Sequence, residues 1–204
     1  MKKAEKIVII GAGGHGKVVA DAALASGIED IVFFDQNPYL ERTLLGFPVF
    51  SASDEGKGRE PFIAVGRNST RKDLWSSWIE SFSPKIVHPQ TTLARQIDLG
   101  PGTFVAAGVV VNIHCKIGKG VILNTSCSVD HDCHIGDFVH ISPGANLAGG
   151  VSVGAGAWVG IGAVICENLS IGENATIGAG AVVIDSVPDG YTVVGNPARS
   201  INRR

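Results

Sequence analysis

Asp130-His131-Asp132, followed by His134 and His140 and preceded by Asn124-Thr125-Ser126, is the densest polar cluster in the chain. An imidazole titrates near neutral pH and can act as a general base, and an adjoining carboxylate can fix its tautomer and stabilise its charged form. Consecutive strand residues point to opposite faces, so Asp132 can serve His131 only where the backbone turns a corner. His114 and His134 read as solvated corner residues. A second stretch with chemical meaning is Gly11-Ala12-Gly13-Gly14-His15-Gly16. Glycines there let the backbone turn sharply and approach a phosphate, and a helix start offers unpaired N–H groups to an anion.

What must position these groups follows from a six-residue period. From Val87 to Val183 every sixth residue is Val, Leu or Ile, seventeen stops without a break. The column two residues before each is mostly small or slender, as at Thr103, Cys115, Cys127, Ala145 and Ala163, and the column just after is often glycine. Neither a helix nor an ordinary alternating strand has this period. Short strands joined by tight turns do, as in a parallel β-helix whose coils stack about 4.8 Å apart. Three hexads make one coil of about 18 residues, so the segment forms five to six coils of a triangular prism. No hexad is interrupted, so the prism has no inserted lid over His131, and a neighbouring subunit is the simplest way to complete a site. Past Val183 the register fails at Asp189, and the tail Tyr191 to Arg199 reads as a cap over the last coil.

The glycine stretch has its own frame. Lys6 to Ile10 reads as a buried strand, Lys17 to Ser26 has helical spacing, and Ile31 to Phe34 is a second strand ending at Asp35. Strand, glycine loop, helix, strand and acid is the order of a Rossmann fingerprint. A third strand is expected at Pro61 to Val65, closing with Gly66, and then a helix capped by Asn68 or Ser69 and running through Leu74 and Trp78 toward Phe82. Only three or four strands fit before the repeats begin, which is half of a dinucleotide domain and suits a nucleotide sugar better than NAD. The division is a Rossmann-like nucleotide-sugar-binding domain at 1–84 and a β-helix domain with its cap at 85–204.

Composition excludes several classes. With 45% hydrophobic and 18% charged residues and a net charge of −2, the 204-residue chain has the balance of a buried globular protein and no basic patch for nucleic acid or anionic membrane. The repeat turns account for the 27 glycines. No apolar run reaches the length of a membrane span, and Met1 to Lys6 is charged with no hydrophobic leader, so a cytoplasmic protein is expected. The four cysteines lack CxxC spacing and read as small hydrophobes in a reducing compartment, even though Cys115 and Cys133 fall on adjacent coils.

The glycine stretch, the hexapeptide prism, Val121-Ile122-Leu123-Asn124-Thr125-Ser126 leading to His131-Asp132, and the tail Gly195-Asn196-Pro197-Ala198 together resemble a family of sugar acetyltransferases. It includes sialic-acid O-acetyltransferases and bacterial nucleotide-4-amino-sugar N-acetyltransferases, and the likeness spans essentially the whole chain. The resemblance implies a left-handed β-helix and a homotrimer with sites between subunits. It also implies acetyl-CoA as co-substrate without a metal, and an amine of a UDP-linked sugar, in bacterial surface glycan synthesis, as acceptor. His131 matches the catalytic base and Asp132 its supporting acid, a Glu in related sequences. His140, Gly149, Ile161 and Ala179 match the acetyl-CoA site, with Ala179 standing where the pattern has glycine. Gly13, Gly14, His15, Asp35, Gln36 and Gly66 match the nucleotide-sugar pocket. The histidine spacing, His88 alone and His114 to His140 clustered, does not fit the zinc site of γ-carbonic anhydrases, which resemble this prism. O-acetylation of a sialic-acid type remains an alternative. So does a non-catalytic trimeric scaffold with a dinucleotide-binding domain, which tight NADH binding without acetyl transfer would reveal.

Overall fold

The computed structural model describes residues 6–37, 42–51, 58–79 and 82–201. The charged start, residues 1–5, and the last part of the expected second helix, residues 80–81, lie outside them. Among the described residues no helix is long and apolar enough to cross a membrane.

The first domain follows from its apolar runs. β1 (Lys6–Ile10) and β2 (Asp30–Phe34) are almost wholly buried and pair in parallel, Ile7 opposite Ile31 and Ile9 opposite Phe33. Between them α1 (Gly14–Ala25) buries Gly16, Val19, Ala20, Ala22 and Ala23. β5 (Glu60–Ile63) pairs in parallel with the other edge of β1. The sequence reading lacked one hairpin, β3 (Thr43–Leu44) and β4 (Phe47–Phe50), which turns on Leu45 and Gly46, both with positive φ. It makes a five-stranded sheet in the order β3-β4-β2-β1-β5, so the domain has one strand more than the expected maximum of four. α2 (Asn68–Trp78) is shorter than expected.

The prism keeps the register read from the sequence. Seventeen two-residue strands, from Ile86–Val87 to Val182–Val183, lie on three faces, and the second residue of each is a hexad aliphatic. Leu123, Val129, Ile141, Val159, Ile165 and Ile177 are fully inaccessible. Cys127, Ala145, Ala163 and Ala181 continue one inner column that Val109 begins, all with no exposed surface. Most corners take a left-handed residue three places after the aliphatic, glycine in eight of them and His114, Ser126, Asp132, Phe138, Asn168 and Asn174 in six. After Val183 the ladder does not stop at once: Thr192–Val194 pairs in parallel with Thr176–Ile177 and keeps Val193 inward, and Arg199–Ser200 closes a small antiparallel cap.

The three faces differ in what covers them. The face carrying Ile86, Phe104, Ile122 and His140 is buried beneath the first domain. The face carrying Asp98, Lys116, His134, Ser152 and Ser170 is polar and exposed. The third carries Thr92, Val110, Ser128, Asn146, Val164 and Val182, a mixed surface with three valines that is partly or fully exposed.

Asn68 and Arg71 join the two domains. Asn68 does not cap α2, whose N-cap is Arg67; its Nδ2 donates to the Gly156 and Ala157 carbonyls, each at 3.0 Å. Arg71 is 1% exposed. Its guanidinium donates to the carbonyls of Gly120 and Phe138 in the prism, at 2.7 and 2.8 Å, and to Val65 of its own domain at 2.9 Å. Asn68 Oδ1 accepts a further bond at 2.8 Å.

Candidate active site

His131 and Asp132 lie in the corner turn between strands Ser128–Val129 and His134–Ile135, as a cooperating pair requires. Asp132 has φ +59°, and this left-handed turn brings its carboxylate beside the preceding ring. His131 Nδ1 is 2.8 Å from Asp132 Oδ2, and the His131 backbone N–H donates to Asp130 Oδ1 at 2.8 Å. A carboxylate only accepts, so Nδ1 carries the hydrogen and Nε2 is left with its lone pair. The hydrogen bond that His131 donates to Asp132, then the charge of Asp130, holds the His131 imidazole above the usual histidine value. The same bond to His131 holds Asp132 below the usual carboxylate value. Asp130 is lowered as well, first by the Asn112 amide, whose Nδ2 donates to its carboxylate at 2.6 Å, and next by the His131 N–H.

Gly149, one coil on, is the seat of this ring. A Cβ placed there would stand 2.6 Å from Cε1 and 2.7 Å from Nε2 of His131. Backbone and imidazole therefore meet face to face with room for no side chain. Ile161 is 62% exposed, and it stacks with Ala179 at the next corner of the prism. One chain does not bring these two together with Gly149, because the face carrying Ser128, Asn146 and Val164 lies between them.

His140 is elsewhere again, on the face under the first domain. It is stacked on Trp158 with rings 5.4 Å apart and nearly parallel, and its Nε2 is 3.1 Å from Asn124 Nδ2. Its Nδ1 is buried without an adequate hydrogen bond, although the Gly66 carbonyl nearby favours a proton on the ring. His15 reaches the same region from α1, its ring edge-on to Phe104 at 5.3 Å and its buried Nε2 unpartnered. Burial pushes both imidazoles down to about 4, with the Arg71 charge acting on each and His140 also acting on His15. Both are neutral at physiological pH, so an N–H of either ring is a neutral donor.

The remaining pocket residues converge because parallel strands end together. Gly13 and Gly14 follow β1 and open α1, Asp35 and Gln36 follow β2, and Gly66 follows β5, all at the carboxyl edge of adjacent strands. Asp35 is partly committed: Oδ2 accepts the Ala12 N–H at 2.8 Å and Oδ1 that of Asn37 at 2.9 Å, which shapes the loop mouth. Gly16 has a packing role, since a Cβ there would lie 2.1 Å from the Gly11 carbonyl oxygen. Sequence reasoning missed Asn112, Trp158 and the Asn68–Arg71 joint as neighbours of the site. The coil period carried a signal for one of these contacts, because Asn112 and Asp130 are 18 residues apart and bond directly.

Residues 6–77 match the PglD N-terminal domain, and residues 150–185 match the bacterial transferase hexapeptide (six repeats). Among solved structures, the acetyltransferase domain of PglB from Neisseria gonorrhoeae, in complex with acetyl coenzyme A, is 39% identical. The match has a TM-score of 0.90 and covers 97% of this chain and 100% of that one. Perosamine N-acetyltransferase from Caulobacter crescentus, as a histidine-to-asparagine variant in complex with CoA and GDP-perosamine, is 36% identical with a TM-score of 0.91, covering 97% of each chain. WeeI from Acinetobacter baumannii is 33% identical with a TM-score of 0.87, covering 96% of this chain and 99% of that one.

Proposed function

The chain belongs to the left-handed β-helix nucleotide-amino-sugar N-acetyltransferases that carry a PglD N-terminal domain, and on that premise we propose that it moves the acetyl group of acetyl-CoA onto the 4-amino group of a nucleotide-linked sugar, UDP-linked in the first instance, in bacterial surface glycan synthesis. The observation that carries this reading is the His131–Asp132 pair, with Nδ1 tied to the carboxylate at 2.8 Å and Nε2 open on an exposed corner.

The proposed steps run through His131 and Asp132. The sugar amine attacks the thioester carbonyl while His131 Nε2 takes its proton, and Asp132 stabilises the imidazolium that results. A backbone N–H or the neutral His140 ring steadies the oxyanion. Collapse of the tetrahedral intermediate forms the amide and expels the coenzyme as thiolate, which recovers the proton from His131. No covalent acyl-enzyme is needed. Cys127 is buried with its thiol pushed up to about 12, chiefly by desolvation, which makes it a poor nucleophile.

The nucleotide sugar lies at the carboxyl edge of the first sheet, against Gly13, Gly14, His15, Asp35, Gln36 and Gly66. Acetyl-CoA lies along His140, Gly149, Ile161 and Ala179. These last residues occupy two corners and a face of one prism, so a single coenzyme reaches them all only where prisms adjoin. A cytoplasmic homotrimer packed on the face of Val110, Val164 and Val182 supplies that arrangement. The test is release of free thiol from acetyl-CoA against a panel of UDP- and GDP-linked 4-amino sugars. Release that depends on one sugar, and that falls at least about a hundredfold in His131→Ala with its fold intact, supports the proposal. A variant within about threefold of wild type, or silence across the panel with NADH bound tightly, overturns it.

A further inference from the structure

Gln96, His114 and Asp132 occupy the same corner position of successive coils, 18 residues apart, and their side chains touch in series. His114 Nε2 is 2.9 Å from Gln96 Oε1, and His114 Nδ1 is 3.4 Å from Asp132 Oδ1. The other oxygen of that carboxylate is the one bonded to His131. The backbone runs alongside, since the His114 N–H donates to the Gln96 carbonyl at 2.8 Å. Because a carboxylate has no hydrogen to offer, both imidazoles present Nδ1–H to Asp132. In neutral His114, Nε2 then accepts from the Gln96 amide; in the charged form it donates to the amide oxygen.

The turn itself does not call for an imidazole. His114 has φ +64°, in the left-handed region that histidine enters more readily than most side chains but that does not require one. Later coils put Gly150 and Asn168 at the same position with φ +71° and +60°. Glycine and asparagine serve this corner in later coils, so the backbone alone does not select an imidazole here. The ring is more than half exposed and packs into no core, which leaves its polar contacts.

We propose that His114 is a positioning residue for acetyl transfer: anchored by Gln96, it takes the Asp132 oxygen that His131 does not use, fixes the plane of the carboxylate and shares its charge. The inference rests on His131 being the base. Asp132 shared between two rings supports His131 less than Asp132 given wholly to it. Removing His114 therefore makes His131 more basic and more often protonated at neutral pH, while leaving the carboxylate free to rotate. The other groups that act on His131 are Asp130 in its own turn and Cys115 one coil earlier, and both remain. Gly149, from the coil after, brings no charge.

The test is a histidine NMR titration of the full chain, six imidazoles in all, in wild type, His114→Ala, His114→Asn and Gln96→Leu. His114→Ala moves the His131 midpoint to higher pH and lowers kcat about fivefold with KM unchanged, a small part of what the base itself contributes. His114→Asn tolerates the left-handed turn, places an amide N–H where Nδ1–H was, and restores the midpoint and most of the rate. Gln96→Leu, which keeps the turn residue, moves the midpoint the same way by less and decides the matter should His114→Ala fail to fold. A His131 midpoint that stays put or falls in the folded His114→Ala or Gln96→Leu protein, or His114→Asn behaving like His114→Ala, overturns the proposal. The titration is read without turnover. An active His131→Ala would therefore remove the base and, with it, the catalytic role of His114, while a midpoint shift would still show that the two rings share Asp132.

Discussion

Replacing Gly149 by alanine perturbs one thing, the seat of the His131 ring. The new Cβ would sit 2.6 Å from Cε1, where ordinary contact begins at 3.4 Å, so the ring must retreat by 3.4 less 2.6, about 0.8 Å. Retreat on that scale stretches the 2.8 Å bond to Asp132 to the edge of hydrogen-bonding distance and turns Nε2 away from the amine. Folding is little affected, because Gly149 is not in the left-handed region and the His131 side chain is 57% exposed and free to move. A misplacement near 1 Å costs on the order of a hundredfold in rate. Gly149→Ala is therefore expected to keep its melting temperature and to lose about a hundredfold in kcat, measured by thiol release at saturating acetyl-CoA and sugar. A kcat within about threefold of wild type, or a loss confined to the KM for acetyl-CoA, refutes the reasoning and returns Gly149 to the coenzyme channel alone.

The remaining expectations concern the frame. Ile141→Asp puts an unpaired charge at a fully buried rung, and circular dichroism should show the prism unfolded; a normal melting temperature would refute the inward register. Arg71→Ala strands the carbonyls of Gly120, Phe138 and Val65, and chemical denaturation should show a loss of roughly 3 kcal/mol or more. The buried rings of His15 and His140 bind protons less readily than in the unfolded chain, their folded values being about 4 against 6.5. As pH falls below about 6.5 the unfolded state takes up protons first, so stability declines toward pH 4 and this contribution then levels off. Melting temperature against pH should show that slope, and it should flatten in His140→Asn.

Much of this was legible because a hexad that buries one aliphatic per strand leaves no freedom of register. Val87 to Val183 fixed the prism, and placing His131 and Asp132 within the hexad fixed them to a corner. The β3–β4 hairpin escaped because its strand residues are only partly buried and its signal was the Leu45-Gly46 turn rather than an apolar run. A local pattern offers Asn68 only as a cap, whereas its amide serves the Gly156 and Ala157 carbonyls some 88 residues away. His140 was grouped with Gly149 by resemblance; the fold sets it beside His15, a proximity that depends on how the first domain leans on the prism. Taken singly, His114 reads as a solvated corner, and only the 18-residue step to Asp132 reveals a partner.

The most direct measurement is the NMR spectrum of the product formed from carbon-13 acetyl-CoA and the nucleotide 4-amino sugar that the thiol assay selects. The account predicts an amide at C4, with the labelled carbonyl coupled through the new N–H to the sugar proton there, formed by wild type and not by His131→Ala. An acetyl ester on a sugar hydroxyl, or the same amide formed at an undiminished rate without His131, would contradict it.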